Sequence, residues 1–130
     1  MDKKIPRRNF SLEGPLFDKE SALGHLVKIV PNKDIKQLNL NFSQLPDDSS
    51  YWESKPMHYI SHNIGHEGKN SLLSELIKQD LVSSLTTGRS TRLDGQLTTF
   101  TIGISLTDKG LENYQDIIRL IFAYINQMKN

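Results

Sequence analysis

The sequence predicts an α+β fold, an antiparallel sheet with helices packed on one face, in the order β-β-α-α-β-β-α. Three observations carry this. From Leu97 to Leu106 apolar and polar residues alternate, the period of a strand with one buried face. From Leu111 to Ile125 apolar residues recur at steps of three and four, the period of an amphipathic helix. The strand-like runs are joined by loops, with helices inserted between pairs of them, which marks α+β organisation.

Each element has its own local warrant. Residues 1–24 hold prolines, glycines and the Lys3-Lys4 and Arg7-Arg8 pairs, and are expected to form an irregular N-terminal arm. The domain is expected over residues 25–130. Leu26-Val27-Lys28-Ile29-Val30 is a short β-rich run closed by the turn signal Pro31-Asn32. Leu38, Leu40 and Phe42 alternate with Asn39 and Asn41, giving a second strand. Leu45 to Ser50 forms a loop. Ser54 caps a helix with Pro56 in its first turn, running through Met57, Ile60 and Ile64 to about His66. Gly65 and Gly68 mark a bend there. A second helix starts near Asn70, with Leu72, Leu73, Leu76 and Ile77 on one face. Leu81 to Thr87 is the third strand, and Gly88 to Gly95 a long hairpin loop. In the fourth strand Phe100, Ile102, Ile104 and Leu106 share the buried face. Thr107-Asp108 then caps the last helix, whose apolar face carries Leu111, Tyr114, Ile118, Ile121, Phe122 and Ile125.

Composition narrows the function classes. A chain of 130 residues suits one domain. With 36% apolar and 24% charged residues it belongs to the ordinary globular class. A net charge of +1 supplies no field to gather nucleic acid, and no apolar run reaches the roughly 20 residues needed to cross a bilayer. The expected partners therefore include neither nucleic acid nor membrane. The start MDKKIPRRNF lacks the apolar region of a secretory signal. The absence of cysteine excludes disulfides and a thiol nucleophile, and fits an intracellular, cytoplasmic setting.

His58, His62 and His66 stand at i, i+4 and i+8, one stripe of a continuous helix, with Glu67 directly after them. An i, i+4 histidine pair is a zinc-chelating geometry. The zincin pattern His-Glu-x-x-His fails, because Asn70 stands four residues after His66. The inverted pattern fails as well, because Ser61 and Gly65 precede His62 and His66. The three rings also span about 12 Å of helix, so only two share one ion. A small zinc-binding hydrolase on His62, His66 and Glu67 competes here with histidines that pack or hydrogen-bond locally. Gly65 to Lys69 is either a plain helix–helix corner or a place where a peptide terminus or an anion docks. Thr86-Thr87-Gly88 ends a strand. At a sheet edge it would pair with an extended peptide, and otherwise it leads into a polar hairpin loop. No phosphate-binding glycine loop occurs. Arg89 and Arg92 are expected to solubilise the loop, and Trp52 beside Tyr51 is expected to anchor a loop to the core rather than to bind a base.

The run from Ser54 to Leu76, with its string Ile64-Gly65-His66-Glu67-Gly68 followed by Ser71-Leu72-Leu73-Ser74, closely resembles the insulinase (pitrilysin) family of zinc metallopeptidases. Val27 to Asp34 and Leu106 to Ile125 extend the resemblance over nearly the whole chain after residue 15. Full-length members have four homologous α+β domains around a closed chamber, with His-x-x-Glu-His in the first. This chain is similar to the front part of the second, inactive domain. The resemblance therefore implies a non-catalytic fragment with no zinc of its own. Zinc in the parent enzyme is bound by another domain. The same family holds the N-terminal part of peptide substrates at an exosite. Its matching positions are Ser61, His62, Gly65 and Glu67 at the helix corner and Leu85, Thr86, Thr87 and Gly88 on the strand edge. The implied mechanism is edge-strand addition, with the Glu67 carboxylate near the peptide's amino end. Some members carry glycine where Ser61 and Thr87 stand, so side chains here narrow the backbone's approach. The implied partners are peptide substrates and the other domains of the same peptidase. A scaffold or assembly module is the third reading, since a piece of a larger protein exposes apolar surface that its neighbours cover.

Overall fold

The computed structural model of the chain describes residues 24–43, 56–92 and 97–129. Its elements are β1 (Gln37–Ser43), α1 (Pro56–Ile64), α2 (Leu72–Lys78), β2 (Val82–Arg92), β3 (Leu97–Leu106), α3 (Asp108–Glu112) and α4 (Tyr114–Gln127). The strands form one antiparallel sheet in the order β1-β3-β2. The α+β class with an antiparallel sheet is as the residue pattern predicts. β3, the strand with the clearest alternation, is the central one.

Register explains the two faces. Directly opposed residues on antiparallel strands point to the same side. Leu38, Leu40 and Phe42 oppose Ile104, Ile102 and Phe100, and Leu85 opposes Ile104 from the other flank. These side chains meet Ile64 of α1, Leu72, Leu73 and Leu76 of α2, and Ile117 and Ile121 of α4 in one apolar core. Fully burying each such side chain stabilises the fold by about 1.5–3 kcal/mol. Phe42 extends the core toward α4, its ring 6.3 Å from that of Phe100 and 6.1 Å, edge-on, from Phe122. The opposite face carries Gln37, Asn39 and Asn41, then Ser105, Gly103 and Thr101, then Ser84, Thr86 and Gly88. No charged residue stands among these nine. Val82 and Leu85 both reach the core although they are three residues apart. The register shift between Val82 and Ser84 makes that possible by adding one residue to β2.

Three elements differ from the sequence expectation. Leu26–Val30 forms no strand and is exposed, with Val30 at 93% exposure. Its β-branched residues favour a strand, but a strand needs a neighbour, and none pairs with it among the described residues. Lys28 reaches the Tyr114 ring, 5.4 Å from its centre, and ties the segment to α4. β2 continues through Gly88 to Arg92, paired with Leu97–Thr101, so the expected loop from Gly88 shortens. Adjacent hairpin pairing overrides the glycine. The last helix divides at Asn113, whose backbone N–H and side-chain amide both donate to the Lys109 carbonyl, at 3.1 and 2.8 Å, and end α3. The arm through residue 23, the Leu45–Ser50 loop, Trp52 and the Ser54 cap lie outside the described residues. No helix of the described residues is long and apolar enough to cross a membrane.

Candidate functional site

The corner that follows α1 sits over β2, and its position is set from below. Ile64, 1% exposed, plugs the end of α1 into the core. The Tyr124 hydroxyl of α4 donates to the Asn63 carbonyl at 3.4 Å. The Gly65 N–H donates to the Ser61 carbonyl at 2.9 Å and completes the last turn. That same carbonyl accepts a second bond, at 3.0 Å, from the Thr87 hydroxyl of β2. With its proton committed there, Thr87 Oγ1 accepts from Ser61 Oγ at 2.7 Å. Two hydrogen bonds thus clamp the last turn of α1 to the strand.

The chain leaves the corner through Gly68–Asn70. Asn70 takes a left-handed φ of 65°, a conformation that asparagine tolerates better than most residues. Ser71 then caps α2, accepting from the Ser74 N–H at 3.1 Å. Asp80, at φ 57°, turns the chain into β2, and the Leu81 N–H closes the turn on the Leu76 carbonyl at 3.1 Å. β2 pairs with β3 and with no other strand among the described residues. Thr87 is the residue at which this strand meets the corner.

Of the residues singled out in the sequence, the structure brings Ser61, Gly65 and Thr87 into direct contact. A Cβ on Gly65 would lie 3.0 Å from the Ser61 carbonyl oxygen and 3.1 Å from Thr87 Oγ1. His62 and Glu67 are exposed at the corner. The Leu85 side chain belongs to the core, so this residue offers the site only its backbone. Thr86 and Gly88 are exposed on the uncharged face, where the Thr86 hydroxyl donates to the Gly103 carbonyl at 3.3 Å. The His62 and His66 rings lie 5.9 Å apart, centre to centre. Among the described residues no group of three or more His, Cys, Asp or Glu side chains is placed to hold a metal ion. Tyr124 and Asn63 were not marked by the sequence pattern. The tyrosine lies within the apolar helix face, and only its hydroxyl distinguishes it from a core residue.

Comparison with known proteins identifies the family. The family model described as the Peptidase M16 inactive domain matches residues 3–130. The chain is 46% identical over 109 residues to the A-factor-processing enzyme of Saccharomyces cerevisiae, covering 82% of this chain and 10% of that protein. It is 41% identical over 128 residues to the insulin-degrading enzyme of Homo sapiens, covering 98% of this chain and 12% of that one. Nardilysin of Rattus norvegicus is 34% identical over 128 residues, covering 96% and 11% respectively. A crystal structure of pitrilysin superposes with a TM-score of 0.66 at 31% identity, over 72% of this chain and 10% of that chain. The chain therefore spans about a tenth of the length of the relatives it matches. Family, fold and the insulinase-like motif agree: this chain belongs to the peptidase M16 family, through the inactive domain.

Proposed function

We propose that this chain, as the front part of an M16 inactive domain over residues 25–130, holds the N-terminal part of peptide substrates by edge-strand addition. The observation that carries the reading is the clamp of Ser61 on Thr87, which seats a polar corner beside the strand edge of β2. An extended peptide laid along that edge gains main-chain hydrogen bonds that do not depend on its sequence. Its amino terminus lies toward the corner, where Glu67 presents a carboxylate and His62 a ring. Leu85 to Gly88 supply backbone, not side-chain, recognition. Zinc in this reading belongs to another domain of the parent protein, and the chain alone cleaves nothing. Chelator-sensitive cleavage by the pure chain would overturn that part. The test of binding is isothermal titration with a peptide bearing a free amino terminus and with its acetylated twin, each with and without zinc. Zinc-independent binding that weakens on acetylation supports the reading. Absence of peptide binding, with tight zinc uptake by His62 and His66, would replace it with the metal-site alternative.

A second reading, an assembly module that docks on other domains of the same peptidase, is favoured by one observation. Val27, Ile29 and Val30 are 75%, 81% and 93% exposed in a single run. Apolar side chains so placed mark a surface meant to be covered. Concentration-dependent association in sedimentation, abolished by Ile29→Asp, supports it. A strict monomer at high concentration would count against it.

A further inference from the structure

We propose that β2 imposes a two-residue rhythm on any peptide paired with its second edge. The side chain laid beside Thr87 must be small, whereas those beside Thr86 and Gly88 are unrestricted. The inference rests on the edge-addition reading above. Successive residues of a strand point to opposite faces, and a paired strand shares its neighbour's faces position by position.

Thr87 points to the helix side, opposite Ile102, and is half-buried beneath the end of α1. Its hydroxyl is 2.7 Å from Ser61 Oγ and 3.0 Å from the Ser61 carbonyl. A single methyl carbon on Gly65 would come 3.1 Å from Thr87 Oγ1 and 4.0 Å from Thr87 Cγ2. Helix corner and strand therefore already touch at Thr87, and the corner is the ceiling over the helix-side face of β2 there. A peptide residue on the same face beside Thr87 meets that ceiling and fits as glycine, alanine or serine. The next residue in either direction faces the other side of the sheet. There Thr86 and Gly88 are exposed, and a Cβ on Gly88 would meet nothing within 4 Å. The substrate class is thus a free-amino peptide with a small residue at one fixed place near its start and no restriction at its neighbours.

The test is a positional scan on the chain itself by isothermal titration. Free-amino peptides carry glycine, alanine, leucine or phenylalanine at each early position in turn. The expected result is a loss of about ten-fold or more from alanine to phenylalanine at the one position laid beside Thr87, which corresponds to about 1.4 kcal/mol. The positions on either side of it should vary by less than about three-fold. Thr87→Ser combined with Ser61→Gly removes the methyl group and the bridging hydroxyl and should flatten the pattern. Asn39→Ala, on β1 across the sheet from this edge, should leave it unchanged. Binding that tolerates phenylalanine equally at every position would overturn the rhythm while leaving edge addition intact. Absence of binding by every peptide would overturn both.

Discussion

Gly110 gives the sharpest test of the packing, because two physical effects there have opposite signs. The residue lies within α3, where replacing glycine by alanine ordinarily stabilises a helix by about 1 kcal/mol. Here the glycine is buried against the turn that leads into β2. A Cβ would overlap the Leu81 carbonyl oxygen, approach the Leu81 carbonyl carbon to 2.9 Å and lie 3.3 Å from Thr107 Oγ1. The obstacle is backbone, so relief requires α3 to move away from the turn. That movement strains three bonds at once. The Thr107 N–H donates to the Leu81 carbonyl at 3.2 Å, the Thr107 hydroxyl to the Asp80 carbonyl at 2.7 Å, and Lys109 Nζ to the Gln79 carbonyl at 2.8 Å. At about 1 kcal/mol each, their loss outweighs the gain in helix propensity, and Gly110→Ala should destabilise the chain by roughly 2 kcal/mol. For a domain of this size that is a fall in melting temperature of about 8 °C. Urea unfolding followed by circular dichroism, with the slope unchanged, measures it. A variant as stable as the parent, or more so, would show that the contact between α3 and the turn is not as close as described.

Other perturbations have definite signs. Ile121→Ala empties a fully buried position of α4 and should cost about 3 kcal/mol in the same unfolding experiment. Ser71→Ala removes the cap of α2 and should cost about 1 kcal/mol, with the loss of helicity read by circular dichroism. The Lys36 ammonium lies 2.8 Å from Asp108 and 3.3 Å from Asp34. Hydrogen bonds first to Asp108 and then to Asp34 hold its pKa above the ordinary 10.5. A raised pKa means that the contribution is complete below pH 10.5 and is lost as pH rises through the higher folded-state value. Melting temperatures followed upward past pH 10.5 should therefore fall more steeply for the parent chain than for Lys36→Gln. The difference should shrink in high salt, since both aspartates are exposed. Parallel curves for the two proteins would remove the bridge from the account.

Much of the architecture was legible because local pattern and tertiary outcome coincide. The alternation of Leu97–Leu106 and of Leu38, Leu40 and Phe42 gives strands whose faces are those observed. Thr107 caps α3 where the Thr-Asp pair predicted a helix start. Two of the failures share a cause, which is that the deciding contact is remote in sequence; the break at Asn113 is local, made by its bonds to Lys109. Leu26–Val30 has strand composition, but pairing depends on a neighbour that composition does not reveal. Gly88 is a strand breaker by propensity, yet opposite Thr101 it is one more rung of a hairpin. At the candidate site the glycine corner and the strand end could each be marked from spacing. The bond between Ser61 and Thr87, 26 residues apart, could not, because it depends on how Ile64 and Tyr124 seat α1 over the sheet.

The strand order has a kinetic consequence. β2 and β3 are neighbours in sequence and close as a hairpin, whereas β1 must return across more than half the chain, Gln37 meeting Ser105. Closing the longer loop costs more chain entropy, so the hairpin with α2 and α4 assembles first and β1 docks last. Destabilising Leu38 should then chiefly speed unfolding, while destabilising Ile104 should also slow folding. Equal slowing by both would reverse the order. Until β1 arrives, the central strand is itself an edge, presenting Ile102 and Ile104 to any passing chain. Newly made protein is therefore most vulnerable to mispairing in the interval before its first strand is in place.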